Sequence, residues 1–248
     1  MVVDTGRRYR GLIAALLVSL LLWNLPFGGF VLYPFKLFAT WLHELSHGLV
    51  MMAVGAGFDH MEIYRDTSGY AFSIRGTSAV GQAAVASAGY MGTAIFGALF
   101  LVLGRTRRGA RFVLGAIGAA LAISGFLFVR NDFGLVAVLV GAVGFSIAAV
   151  FSNRSAAMLL LNFVAAQSCI NAVLDIRTLF RSNLVVNGEA MNASDAHNMA
   201  AASFGTYWLW AAIWLAWSFA AFYLALRVAY LRDARAPVSS PVLRPAME

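Results

Sequence analysis

The chain has 248 residues, 61 % of them hydrophobic, with a mean hydropathy of +0.77 and only 12 % charged. Soluble domains carry roughly 25 % charged residues, so a soluble enzyme is excluded and a multi-span membrane protein is expected. The net charge of +7 comes from 18 basic residues, all arginine except Lys36, set in short runs between apolar stretches; without aromatic-basic interleaving they read as contacts to membrane lipid, and no nucleic-acid partner is expected.

Arg7, Arg8 and Arg10 precede the apolar run 11–23, and no small-residue cleavage site follows. That predicts an uncleaved first span over roughly 11–33, bent or ended near Pro26. Pro34 then sets off a second span, roughly 35–55.

The second span holds Trp41-Leu-His-Glu-Leu-Ser-His-Gly48, an H-E-x-x-H motif of His43, Glu44 and His47. Residues four apart share a helix face, so the two imidazoles can close on one ion, and Glu44 beside them can take a proton from water that the ion activates. Histidine and glutamate each occur four times in the chain, which puts a chance match at roughly one in a thousand. Packing alone is the competing explanation, but such groups in lipid are costly without a task.

Residues 57–75 are the most polar stretch of the first half. Met61, Ile63, Tyr70, Phe72 and Ile74 alternate around Asp66-Thr-Ser-Gly69, which predicts a β-hairpin with an open edge able to pair with an extended peptide. His60 reads as a hairpin surface residue. A third span, roughly 79–103, has two rows of small residues, Gly89, Thr93, Gly97 and Ala84, Ala88, Gly92, which suit close helix packing. Two scaffold spans follow, roughly 112–129 and 133–152.

The sixth span, roughly 155–176, bears Gln167, Ser168, Asn171 and Asp175 on one face, a stripe that must meet protein or water. Catalytic zinc usually has three protein ligands, and Asp175 is the candidate for the third, against a surface pairing with Arg177 or Arg181. The lone Cys169 in this span excludes an intrachain disulfide. In the polar connection 182–204, Ser194 or Asp195 can cap a short helix through Ala200, and Asp195 and His197 read chiefly as capping and surface residues. A tryptophan-rich last span, roughly 206–230, precedes a tail, 233–248, expected to be disordered. The expected fold is thus an all-α polytopic membrane protein of six or seven transmembrane helices, forming one domain over 1–232, with a short hairpin after the motif helix.

With His43-Glu44-Leu-Ser-His47 in a span, a hairpin after it, a glycine-rich third span and a distal aspartate, the chain resembles the site-2 protease family of intramembrane zinc metalloproteases. The likeness is closer to its short M50B-like peptidase branch, on Ser87-Ala-Gly-Tyr-Met-Gly92, Asp175-Ile-Arg-Thr-Leu-Phe180, Ser194-Asp-Ala196 and the tryptophan-rich span. The resemblance implies that His43, His47 and Asp175 bind zinc and that Glu44 activates water. It also implies a peptide or transmembrane-protein substrate, unwound and paired to the hairpin edge, in an integral membrane protein of a bacterial cell. Better-studied members carry prolines and Leu-Asp-Gly on the distal helix, where this chain reads Asn171-Ala-Val-Leu-Asp-Ile176. Asn171 is then a candidate to hold substrate backbone or an oxyanion, and Asp195 is the reserve ligand.

Three other functions fit parts of the pattern. A non-catalytic pseudo-protease binding metal or a client helix has no need of Glu44. A metal transporter would show related halves and more intramembrane charge. A zinc hydrolase of a non-peptide membrane substrate would use the same motif.

Overall fold

In the computed structural model, which describes residues 5–179, 184–186, 189–191 and 194–231, the first helical break falls at 25–27, at Pro26 as expected. Helix α1 (Thr5–Asn24) ends ahead of Pro26, whose ring and missing N–H oppose a continuing helix. Helix α2 (Gly28–Ala53) then leaves at 117° to the 13–24 part of α1. Glycine is required at this corner, because a Cβ on Gly28 would lie 1.6 Å from the Leu22 carbonyl oxygen. Pro34, expected to open the second span, lies inside α2 instead and costs it one backbone bond, the one to the Phe30 carbonyl, without ending it.

The strands β1 (Phe58–Ile63) and β2 (Gly69–Ser73) form the expected antiparallel hairpin, with Met61 opposite Ala71 and Glu62 opposite Tyr70. Met61, Ile63 and Ala71 are buried, so one face packs on the helices while His60, Tyr70 and Phe72 line the other. In the turn, Thr67 takes a left-handed φ of 69°, and Thr40 of α2 donates a 2.6 Å hydrogen bond to its carbonyl. His60 stacks on Phe72 and bonds Asp59, away from the histidine pair of α2.

Four long helices follow: α3 (Ala79–Leu103), α4 (Arg107–Phe128), α5 (Asp132–Phe151) and α6 (Arg154–Leu179). After α6 come a second small hairpin, β3 (Leu184–Val186) with β4 (Glu189–Met191), and a short helix, α7 (Asp195–Ala202). Helix α8 (Tyr207–Leu226) ends in a π-helical turn, Arg227–Leu231. The protein is thus mostly helical.

Among the described residues, α3, α4 from Arg108, α5 and α8 are long and apolar enough to cross a membrane, and the bent pair α1–α2 makes a fifth if it is one span. That is fewer than the six or seven read from apolar runs. The α1–α2 pair counts at most once because it is bent by 117° at the break, and the described side chains of α6 give an apolar segment over Ser155–Ser168. The tail 233–248 lies outside the described residues.

The core joins Phe38, Trp41 and Leu42 of α2 to Leu114, Ile117 and Leu121 of α4 and to Met61 and Ile63 of the hairpin. Trp41 Nε1 also donates to Ser124 Oγ at 2.9 Å, which fixes the motif helix against α4. A second cluster seats α7: Ala196 and Met199 pack against Ala86 and Tyr90 of α3 and Ala211 and Trp214 of α8. Polar residues flank α7 in the chain, yet its apolar face is as buried as the main core.

Candidate metal centre

His43 and His47 stand one turn apart on α2, their rings 4.7 Å apart at 71°. A carboxylate closes on both: Asp195 Oδ2 lies 3.0 Å from His43 Nε2 and 3.2 Å from His47 Nε2. The reason is local. Ser194 caps α7, accepting from the His197 amide, and His197 stacks on Tyr207. Asp195 is thereby left at the first helical position with its side chain turned toward α2. The expectation that Asp195 is chiefly a capping and surface residue is corrected: Ser194 is the cap.

One nitrogen of His47 is already committed. Its Nδ1 lies 2.7 Å from the Val85 carbonyl, which can only accept, so Nδ1 carries the proton. In the neutral ring Nε2 then presents a lone pair, and it points at Asp195, an acceptor. Two acceptors 3.2 Å apart repel unless a proton or a metal ion lies between them. Burial works to raise the Asp195 carboxyl, but the positive charge and hydrogen bonds that His47 and His43 bring when protonated outweigh it and hold it below the ordinary carboxylate range. Asp195 is therefore an anion.

The donor set fits a small divalent ion. His43, His47 and Asp195 each offer one ligand atom, all within 4.8 Å of one another. Ligands at ~2.0–2.2 Å from a tetrahedral zinc stand roughly 3.3–3.6 Å from each other, close to the separations found here. The Val85 carbonyl supplies the outer hydrogen bond that orients a ligating imidazole.

Helix α3 closes the back of the centre. A Cβ on Gly89 would lie 2.2 Å from His43 Nε2 and 2.5 Å from His47 Nε2, and one on Gly92 would lie 2.4 Å from Ser46 Oγ. The two small-residue rows thus serve the close approach expected of them, and Gly89 also faces the site. Tyr90 sets its ring edge-on to His43 at 4.8 Å and stacks on Trp214 at 5.3 Å, which braces the imidazole from α8.

Glu44 is buried beside the ligands, within electrostatic reach of His43, His47 and Asp195, and accepts a hydrogen bond from the Ala71 amide of β2. Gly69 lets β2 come this near, since a Cβ there would lie 3.1 Å from Glu44 Oε1. The outer edge of β1 is already taken. Arg130 donates its amide to the Met61 carbonyl, and the Asn131 amide side chain pairs with both the N–H and the C=O of Ile63. Among the described residues no such partner lies along β2 apart from Glu44, which takes the Ala71 N–H, so this is the edge left for a peptide, and it runs past Glu44. Tyr70 projects from this strand. Burial, together with the Asp195 and Glu44 carboxylates, raises its phenol above the ordinary value, so it keeps its proton.

The polar face expected on α6 is only partly in view. Gln167 donates to Ser19 of α1 at 2.7 Å and Ser168 to the Val164 carbonyl, so both are held within helix packing. The side chains of Asn171 and Asp175 lie outside the described residues. The contributions of the Val85 carbonyl, Tyr70 and Asn131 had no signal in the sequence beyond the polarity of the two side chains.

The chain matches the family model described as Peptidase M50B-like over residues 12–225. It belongs to that family. No curated relative and no solved structure matches it. Membership supports a membrane metallopeptidase at the level of the family, and a His43, His47 and Asp195 cluster is compatible with it.

Proposed function

We propose that the protein is an intramembrane zinc metalloendopeptidase whose ion is held by His43, His47 and Asp195 and whose general base is Glu44. The observation that carries this reading is the convergence of His43, His47 and Asp195, one ligand atom from each within 4.8 Å of the others, beside the buried Glu44. Asp195 replaces Asp175 as the proposed third ligand because it reaches both imidazoles from α7.

When bound, zinc would polarise the scissile carbonyl and make water nucleophilic near neutral pH. Glu44 takes the proton of the attacking water and passes it to the leaving amine as the C–N bond breaks. The Ala71 amide holds one side of the Glu44 carboxylate, so the base is oriented by the same strand that offers its edge to substrate. A segment of a transmembrane or membrane-associated protein, unwound into a strand, pairs along β2 and brings a peptide bond past Glu44. Membrane lipid surrounds the helices, and a bacterial cell membrane is the proposed location.

The alternative, a pseudo-protease that grips metal or a client helix, would leave Glu44 idle; its burial and orientation by Ala71 favour catalysis. The deciding experiment is metal content by mass spectrometry on protein purified in mild detergent without chelator. The wild type is expected to hold one zinc per chain. His43→Ala and Asp195→Ala should lose it, while Glu44→Gln and Asp175→Ala keep it, and Glu44→Gln should lose hydrolysis of fluorescein-labelled casein. A wild type without stoichiometric metal would sink the enzyme reading, and loss in Asp175→Ala alone would move the third ligand to α6.

A further inference from the structure

Peptide hydrolysis drives negative charge onto the carbonyl oxygen as water adds. Enzymes commonly meet that charge with a donor besides the ion, worth ~10²–10³ in rate where it has been removed. Near Glu44 and the proposed ligands most donors are spent inside the fold. The Ala71 amide is on Glu44, Thr40 Oγ1 on the Thr67 carbonyl, Ser46 Oγ on Leu42 and Thr93 Oγ1 on Gly89.

Tyr70 is different. Its hydroxyl makes no hydrogen bond among the described residues, although it lies within electrostatic reach of both Asp195 and Glu44. The residues on either side of it fix its backbone at the base: Gly69 packs on the Glu44 side chain and Ala71 donates to its carboxylate. The ring leans on Phe72, centroids 4.8 Å apart, and Phe72 in turn stacks on His60 at 4.2 Å, so the phenol is braced along the hairpin rather than loose. It remains 36 % exposed, open to whatever lies along the β2 edge.

We propose that Tyr70 is a further catalytic residue, its phenol donating a hydrogen bond to the scissile carbonyl oxygen of a peptide laid along β2. This rests on the metallopeptidase reading above. Tyr70 keeps its proton throughout: the water proton goes to Glu44 and on to the amine, and the phenol only stabilises the oxyanion while the C–O bond forms and the C–N bond breaks. A donor on the hairpin explains why the strand is held so firmly on Glu44. The strand presents the substrate and the oxyanion donor and, through the Ala71 amide, orients the base on α2.

The test is Tyr70→Phe, which removes one oxygen, assayed on full-length protein in detergent with fluorescein-labelled casein. One metal per chain should be retained, KM should stay within about twofold, and kcat should fall by about 10²-fold. Affinity for a phosphonamidate peptide, a tetrahedral anionic mimic, should fall with kcat/KM. Binding of casein to Tyr70→Phe/Glu44→Gln should match that to Glu44→Gln alone. A Tyr70→Phe protein that keeps wild-type kcat, that changes KM alone, or that loses its metal would overturn the assignment. Wild type that holds metal yet cleaves nothing would overturn both readings, whereas an active wild type matched by Tyr70→Phe overturns only this one.

Discussion

Gly89 presses on His43 so closely that a single added methyl group would lie 2.2 Å from its Nε2, and 2.5 Å from that of His47. Real carbon atoms do not approach nitrogen so nearly, so Gly89→Ala must move either the two imidazoles or α3. Both imidazoles are tethered, His47 to the Val85 carbonyl of α3 itself and His43 by the edge of Tyr90. Gly89→Ala is therefore expected to weaken metal binding on the order of 10-fold or more, in the range found when the surroundings of ligands are disturbed. Gly115→Ala is the control, because its new methyl would meet only Ala149 at 3.7 Å. Titration with a zinc indicator decides; equal affinities in the two variants would remove Gly89 from the centre.

The parts of the site written locally were legible in the sequence. His43, Glu44 and His47 need only a helix to share a face, and Asp66-Thr-Ser-Gly69 needs only its neighbours to turn. The parts contributed at long range were not. Asp195 stands 152 positions from His43 in a segment that reads as polar loop, and its approach depends on Ala196 and Met199 finding Tyr90 and Trp214. The apolar spacing of those two residues, three apart beside a serine cap, is the signal that α7 is packed rather than free. The Val85 carbonyl has no sequence signal, since every residue has one. Pro34 misled for a related reason: proline ends helices in water more reliably than within apolar packing, where neighbours hold the chain helical.

Metal and α7 should be coupled. Among the described polar groups, Asp195 ties α7 to the histidines of α2, and Ala196 and Met199 supply the rest of its seat. Chelation leaves the apolar seat intact but removes the bridge, so amides of 196–202 are expected to exchange hydrogen faster in the stripped protein. Zinc, and not magnesium, should restore protection. In Asp195→Asn the exchange should be fast whether or not zinc is added. Ser194→Ala, which removes the cap, is expected to cost ~1 kcal/mol of local stability and raise exchange in the same segment with zinc present. Exchange that is indifferent to chelation would show that the ion is not held from α7.

The hairpin offers a titration that reports its own geometry. Burial, with the hydrogen bond Tyr64 gives to Glu62, pushes the Tyr64 phenol up to about 12. The sign follows from the charge: deprotonation would bury an anion beside carboxylates, so the neutral form is favoured and the midpoint rises. Glu62→Gln removes the charged acceptor and leaves the burial, so the midpoint should come down part of the way toward 10. Carbon-13 labelling at the tyrosine ring, with Tyr64→Phe to assign the signal, reads this directly. An unchanged midpoint in Glu62→Gln would mean that burial alone sets it.

Asn131 works as one extra residue of β-sheet. Its side-chain amide accepts from the Ile63 N–H at 3.1 Å and donates to the Ile63 carbonyl at 2.6 Å, so it closes the outer edge of β1 as a neighbouring strand would. Asn131→Ala leaves both backbone groups without their partners, at a cost of about 1–3 kcal/mol. Asn131→Asp keeps the acceptor and loses the donor, so it should fall between the two. Two consequences are separable. Stability should drop in both variants, read by thermal unfolding in detergent. The hairpin should also sit less firmly on α2, so the Ala71 amide no longer orients Glu44, and kcat for casein should fall further than the occupancy of the metal. Activity that tracks metal content alone in Asn131→Ala would show that the clamp serves stability and that the base is oriented without it.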